Sequence, residues 1–302
     1  MKKITLAFLL ACSLPVFADP IVGYVDTAGY EAKTPEATLK AIQDFFHQKF
    51  PEVKGDAFID GSMNWSEGER QYDKFMTGRM HDDFDAPVGY PEVIAEGKKL
   101  WETPLPDGKK MADCFAHGGK GAANDYPKVD EKSGKVITFE RALNDCRVAH
   151  GAKPLDYGDM KKGMGPLSDI ARKLSDGMRI KMEIKTPAEL AAFERGKAVF
   201  YGRTGKFEQA CANCHIQHAG EVARSEELSP IIGQAAHFPV FRQDKKTDGL
   251  HLVTLQNRYK GCQKSTAADK PIKEGSDESN DLEYFHTYIS NGLPLSSGIF
   301  RK

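Results

Sequence analysis

Cys211-Ala-Asn-Cys214-His215 decides how this chain folds. Two thiols one helical turn apart, followed at once by an imidazole, form the attachment motif for a c-type haem. The thiols add to the haem vinyl groups, and the histidine falls beneath the iron as an axial ligand. The competing reading is a redox Cys-x-x-Cys pair with an incidental histidine. The flanking sequence favours haem. Upstream, Thr186-Pro187-Ala188-Glu189 opens a helix that runs to Tyr201, with proline in its first turn. Gly196 and Phe200 lie four apart on that helix and face one packing partner. Downstream, Leu282, Phe285, Tyr288 and Ile289 outline a second amphipathic helix, which ends at Asn291-Gly292.

One helix before the motif and another at the end of the unit, crossing it, resemble a cytochrome c domain. The same frame occurs earlier in the chain. Ala95-Glu-Gly97-Lys-Lys-Leu100-Trp101 parallels Glu194-Arg-Gly196-Lys-Ala-Val199-Phe200, and Pro166–Gly177 parallels Asp281–Gly292. The expected fold is therefore mostly α: two tandem cytochrome c-like domains, only the second binding haem. The second copy has the longer stretch between motif and last helix, which is where function is expected.

The first copy has Cys114-Phe-Ala-His117-Gly118 where a haem motif would stand. His117 takes the place of the second cysteine and Gly118 that of the ligand histidine. Cys146 is then the better partner for Cys114, and a Cys114–Cys146 disulfide is expected where a haem is missing. A redox-active pair is the functional rival, and a haem held by one thioether the unusual one.

Length and composition fit this outline. The chain has 302 residues, 40% hydrophobic and 28% charged, as in a two-domain globular protein. A net charge of -1 argues against a nucleic-acid binder held by bulk positive charge. Lys2 and Lys3, apolar Ile4–Ala11, Pro15, and Val16-Phe17-Ala18 before Asp19 match a secretory signal peptide cleaved after Ala18. Leu9-Leu10-Ala11-Cys12 loosely resembles a lipoprotein box as well, though Leu10 is large for its position. No other long apolar run occurs, so no membrane span is expected and the protein is placed in the periplasm. The domain limits follow: signal peptide 1–18, N-terminal arm 19–60, haem-less unit 61–182 and haem-binding unit 183–302. The arm contains a helix over Thr34–Phe50 whose apolar face is Leu39, Ile42, Phe45 and Phe46. Trp65 and Trp101 are expected to pack in the core of the haem-less unit. The mixed run Lys270–Asp281 is expected to be an exposed loop.

Cleavage at Ala18 removes Cys12 and leaves five cysteines, an odd number. Cys262 is the one left over, in the enlarged region of the haem unit. The iron needs a sixth ligand, and all nine methionines precede residue 183, so the unit cannot supply the common His/Met pair. The candidates are Cys262, His218, His237, His251 and His286. A soft thiolate suits iron. His218 is close in sequence to His215, and His286 is expected at the surface of the last helix. Arg258 precedes Cys262 by four residues. A guanidinium there favours the thiolate and offers a planar fork to an oxyanion such as a sulfonate. Lys260 is a further cation for a dianion. The plain alternative is a solvated Arg258-Tyr-Lys260-Gly loop.

These features together resemble the SoxA family, the catalytic subunits of SoxAX cytochromes (L-cysteine S-thiosulfotransferases). The resemblance spans nearly the whole chain, and the departure at His117 and Gly118 is that of the family's single-haem branch. It implies one covalently bound haem c on Cys211 and Cys214, with His215 as proximal ligand. It implies Cys262 as distal ligand and catalytic residue, a thiolate or persulfide, with Arg258 binding the substrate. The implied reaction is oxidative coupling of thiosulfate to a cysteine of the carrier SoxYZ, with electrons passing to a cytochrome c. The implied partner is a small monohaem cytochrome, SoxX, docked on the second unit. A plain periplasmic electron-transfer cytochrome c is the alternative. A di-haem peroxidase needs a second CxxCH, and a simple sulfur carrier needs no haem.

Overall fold

The computed structural model describes residues 19–27, 32–51, 53, 90–223, 226–243 and 249–298. The leader and Trp65 lie outside these residues, as does most of the stretch between arm and first unit.

The arm starts with the two-residue strand β1 (Gly23–Tyr24) and continues into α1 (Pro35–Lys49). Thr34 caps α1 by accepting the Ala37 N–H, and Pro35 begins it where a missing N–H costs nothing. Ile42 and Phe46 are fully buried, with Leu39 and Phe45 packed beside them. Their neighbours belong to the second unit. Lys49 at the end of α1 donates to the Gln217 carbonyl at 2.9 Å, so the arm rests beside the CxxCH turn.

The first unit consists of α2 (Tyr90–Glu102), strands β2 (Lys128–Asp130) and β3 (Lys135–Ile137), α3 (Phe139–Ala149) and α4 (Met164–Lys173). The second opens with α5 (Pro187–Tyr201), whose start matches the sequence expectation. Thr186 accepts from the Glu189 N–H while Glu189 accepts from the Thr186 N–H, a reciprocal cap. Then come β4 (Gly202–Arg203), β5 (Val222–Ala223), β6 (Glu226–Glu227), the one-turn α6 (Gln234–His237), β7 (Val240–Gln243), β8 (Leu250–Val253), α7 (Leu255–Ser265) and α8 (Asp277–Ile289). Among the described residues the strands form antiparallel pairs: β1–β4, β2–β3, β5–β6 and β7–β8. Helices carry the architecture.

Two helix pairs organise two cores. α2 crosses α4 at Gly97, and α5 crosses α8 at Gly196, the same position of the two repeated segments. Around the second crossing Phe193, Phe200, Phe285 and Tyr288 pack ring against ring. The first core holds Met111, Phe139, Leu143, Met164 and Leu167, all fully buried. Trp101 packs against it, stacked on Phe115 at 6.4 Å between centroids. Cys114 and Cys146 are joined by a disulfide in this core, and His117 sits exposed in a left-handed conformation (φ 53°) beyond it.

A buried charge cluster joins the two units. Arg172 on α4 donates to both carboxylate oxygens of Glu140 on α3, at 3.0 and 2.9 Å, and reaches Glu283 on α8 at 3.5 Å. Ser168 adds a 2.6 Å bond to Glu140. Gln256 on α7 donates to Glu283 at 2.9 Å and Asn280 at 3.0 Å. The first turn of α7 is therefore anchored in the interface between units.

The run from Lys270 differs from its expected exposure. Ile272 is fully buried, and α8 already begins at Asp277. Ser276 caps it by accepting the Ser279 N–H, and Asp277 and Glu278 favour its positive end. Charged composition there marks a helix start. Among the described residues no helix is long and apolar enough to cross a membrane.

Candidate functional site

The CxxCH segment folds as a short helical turn at Cys211-Ala212 running into a π-helical turn, Asn213–Gln217. Asn213 steadies its entry by accepting the Ala210 N–H at 2.8 Å. Ala212 and Ile216, four apart, are fully buried against the core. Cys211, Cys214 and His215 fall on the other face and are half-buried. Apolar Ala212 and Ile216 hold the turn down, which leaves the three reactive side chains only partly covered.

His215 is held by its inner nitrogen. Its Nδ1 lies 2.7 Å from the Ser229 carbonyl oxygen, and its own carbonyl accepts the Ile231 N–H at 2.9 Å. Nδ1–H donating to a carbonyl sets the tautomer that leaves Nε2 as a metal-binding lone pair.

Cys262 and Arg258 lie on α7, not in a loop. Thr254 accepts the Asn257 N–H and Asn257 accepts the Thr254 N–H, a reciprocal cap that starts the helix. Leu255, Gln256 and Tyr259 are buried on the inner face, and Arg258 and Cys262, four apart, are half-buried together. The Thr254-x-x-Asn257 pair is the sequence signal that announces this helix.

α7 brings Cys262 and Arg258 to the CxxCH turn. Cys211, Cys214 and Cys262 are all free thiols. Burial pushes the Cys211 thiol up to about 12, with charge on Cys262 and Cys214 adding to it. Burial also raises Cys214; Cys262 adds, and the Arg258 guanidinium opposes. Three sulfurs and one guanidinium thus share one electrostatic neighbourhood. Lys260 is turned elsewhere: its Nζ pairs with Glu274 at 2.7 Å, and Glu274 also accepts from Asn257.

The histidines separate clearly. His218 is exposed and pairs with Glu221 at 3.0 Å. His237 is buried and stacked on Phe238. His251 is half-buried on β8. His286, expected at the surface, is 1% exposed. It lies between Phe200 and Tyr259, and burial, with His215 nearby, pushes its pKa down to about 3, so it is neutral. Polar partners make that burial tolerable: Tyr259 Oη at 2.9 Å and Gln234 Oε1 at 3.1 Å. Sequence reasoning assigned neither Gln234 nor Tyr259 a role. In the first unit, Cys114, Cys146 and His150 lie together, but the two sulfurs are bonded to each other and His150 pairs with Asp107 at 2.6 Å.

The family model described as SoxA/TsdA, cytochrome c domain, matches residues 96–180. Those residues are the first unit, which has the disulfide and no CxxCH. Two curated relatives are named L-cysteine S-thiosulfotransferase subunit SoxA. That of Allochromatium vinosum is 37% identical over 300 residues, 98% of each chain. That of Chlorobaculum tepidum is 37% identical over 267 residues, 88% of each. This chain belongs to the SoxA family.

A crystal structure of SoxXA from P. pantotrophus is also similar, with a TM-score of 0.65 and 29% identity over 80% of this chain and 86% of that one. A SoxA-family cytochrome c domain implies covalently bound haem c, and the residues here fit it. Cys211 and Cys214 are not disulfide-bonded, and the His215 ring between them and Ser229 is oriented through its Nδ1.

Proposed function

We propose that this SoxA-family chain is an L-cysteine S-thiosulfotransferase, a c-type cytochrome that couples thiosulfate oxidatively to a carrier cysteine. One observation carries the proposal: α7 places Cys262 and Arg258 in the same neighbourhood as the Cys211-x-x-Cys214-His215 turn. A plain electron-transfer cytochrome needs neither residue there.

Cys211 and Cys214 would hold one haem c, and His215 and Cys262 would be the residues that ligate its iron. When bound, the haem would supply a one-electron acceptor. Arg258 presents its guanidinium fork to the sulfonate end of thiosulfate, which offsets the repulsion between two anions and aims the outer sulfur at Cys262. The Cys262 thiolate and that sulfur form a sulfur–sulfur bond, and two electrons leave for an external cytochrome c. A thiolate of the carrier SoxYZ then attacks the outer sulfur. The carrier–S–S–sulfonate bond forms and Cys262 departs as thiolate, ready for another cycle. A resting persulfide on Cys262 would run the same exchange one sulfur further out.

The chain is read as two tandem cytochrome c-like domains, 61–182 and 183–302, with haem in the second only. The glycine crossings at Gly97 and Gly196 support the duplication. The disulfide in place of a second CxxCH supports the single haem. Within the arm 19–60, α1 packs on the haem unit, and residues 1–18 are read as a signal peptide that exports the protein to the periplasm. A SoxX-type monohaem subunit would dock on the second domain; the likeness to SoxXA supports this.

The test uses the haem-loaded chain with its SoxX partner, thiosulfate, SoxYZ and oxidised cytochrome c. Mass spectrometry follows the carrier while absorbance follows the acceptor. The expected result is a thiosulfonate adduct on the carrier cysteine, with two acceptor molecules reduced per adduct. Acceptor reduction without any adduct would leave an electron-transfer cytochrome instead.

A further inference from the structure

Four side chains, all buried but His215, form a continuous contact chain behind the site. Gln234 Nε2 lies 2.8 Å from His215 Nδ1, and Gln234 Oε1 lies 3.1 Å from His286 Nε2. His286 Nδ1 lies 2.9 Å from the Tyr259 hydroxyl. Ser229 Oγ is 2.7 Å from the same end of the Gln234 amide that faces His215. Gln234, His286 and Tyr259 are at most 7% exposed, so no water competes freely for these groups. Tyr259 and Cys262 are three apart on α7, within one turn. The chain of contacts therefore runs from the sulfur-bearing helix to the back of the CxxCH histidine.

Hydrogen-bond chemistry decides which end of the Gln234 amide faces His215. The two ends have the same shape and differ only in donating or accepting. His215 Nδ1 must carry a hydrogen, because it stands 2.7 Å from the Ser229 carbonyl, which can only accept. An NH2 group facing that Nδ1–H would set donor against donor. A carbonyl facing it is satisfied, and it also accepts from the Ser229 hydroxyl. The NH2 then donates to Nε2 of neutral His286, whose Nδ1–H donates to Tyr259. In this sense every donor in the row meets an acceptor, and the one acceptor–acceptor contact, with the Ser229 carbonyl at 3.4 Å, is the longest in the row.

We propose that Gln234 is a positioning residue for the site. Its amide oxygen shares the His215 Nδ1–H with the Ser229 carbonyl, and His286 and Tyr259 lock the amide in that orientation. The inference rests on the haem reading above. An acceptor on Nδ1–H makes the imidazole a stronger donor through Nε2, which favours the oxidised iron and lowers the reduction potential. Tyr259 makes this setting depend on the position of the helix that carries Cys262.

The experiment is a redox titration of the haem-loaded chain in its complex with the partner cytochrome. Wild type is compared with Gln234→Leu, Gln234→Glu and Tyr259→Phe. Circular dichroism and haem content show that each variant is folded and loaded. Gln234→Leu removes the acceptor and should raise the midpoint potential. Gln234→Glu keeps the shape, strengthens the acceptor and should lower it. Tyr259→Phe keeps the ring but frees the His286–Gln234 lock, and should shift the potential the same way as Gln234→Leu and by less. A merely packed Gln234 would not give opposite shifts. Unmoved potentials in folded variants, or Leu and Glu shifts of the same sign, overturn the proposal. The low-spin spectrum of a thiolate-ligated haem, recorded on wild type and on Cys262→Ala, reports separately on the underlying reading. If Cys262→Ala leaves that spectrum unchanged, the ligand assignment fails whatever the Gln234 variants do.

Discussion

Gly196 on α5 lies so close to the carbonyl oxygen of Asp281 on α8 that a Cβ built on it would fall 2.0 Å away. Gly97 stands in the same relation to Pro166, at 2.5 Å. Pro166 and Asp281 begin the two repeated C-terminal segments, so each helix pair closes on a glycine at the same place. The atom opposite is backbone in both cases and cannot swing aside. Gly196→Ala and Gly97→Ala should each destabilise the protein by about 1–3 kcal/mol. Urea unfolding of the loaded protein checks this, and an unchanged midpoint would contradict it.

Glu283 makes stability depend on pH. Burial and the neighbouring Glu140 carboxylate push it from an ordinary 4.5 up to about 8, against Arg172 and Gln256. An acid with a raised folded pKa binds more protons folded than unfolded. Its contribution is therefore full below about 4.5 and is lost as pH rises to about 8. Glu283→Gln stays uncharged throughout. The melting temperature of wild type should fall relative to that of the variant between pH 5 and 9. Parallel curves would count against a protonated Glu283.

Arg172 sits between Glu140 and Glu283 and is the cation that makes their burial tolerable. Glu140 is held below the usual carboxylate range: burial works against its charge, and Arg172 prevails. Arg172→Met should destabilise by about 3–5 kcal/mol, because it leaves Glu140 without a counter-charge. Chemical denaturation at pH 7 measures this. A loss below 1 kcal/mol would mean that the cluster is not what joins the units.

Much of this architecture is legible in the residues. The Thr186-Pro187-x-Glu189 start, the aromatic spacing on α8 and the paired glycines all report local backbone geometry, and local geometry is what periodicity encodes. α7 was missed because Gly261 lies in its interior and its polar composition, Arg258-Tyr-Lys-Gly, resembles a loop. Its reciprocal cap was the overlooked sign. His286 was misplaced for a different reason: its partners Gln234 and Tyr259 lie 52 and 27 residues away, and a helical histidine with unseen partners looks solvated. Lys260 reads as a substrate cation in sequence because its partner Glu274 lies 14 residues away.

That pairing separates two basic residues which are near neighbours on one helix. Arg258→Lys should raise the KM for thiosulfate about tenfold or more, the size of a lost charge-assisted fork. Lys260→Ala should leave KM nearly unchanged and lower stability slightly. Steady-state kinetics on both variants decide it, and the reverse order would assign the substrate to Lys260.

The disulfide should matter to stability and not to haem. Replacing Cys114 and Cys146 with serine opens a loop with a sequence separation of 32, and should cost about 3–4 kcal/mol. Intact mass should still show one haem on the chain. Loss of haem in that double variant would mean that the first unit takes part in binding it.

The proposed chemistry centres on Cys262. Its most direct measurement is thiosulfate-dependent cytochrome c reduction by Cys262→Ala in the complete complex, with intact mass taken on the same sample. The haem mass on Cys211 and Cys214 should be retained and turnover abolished. Full haem content together with wild-type turnover would contradict it.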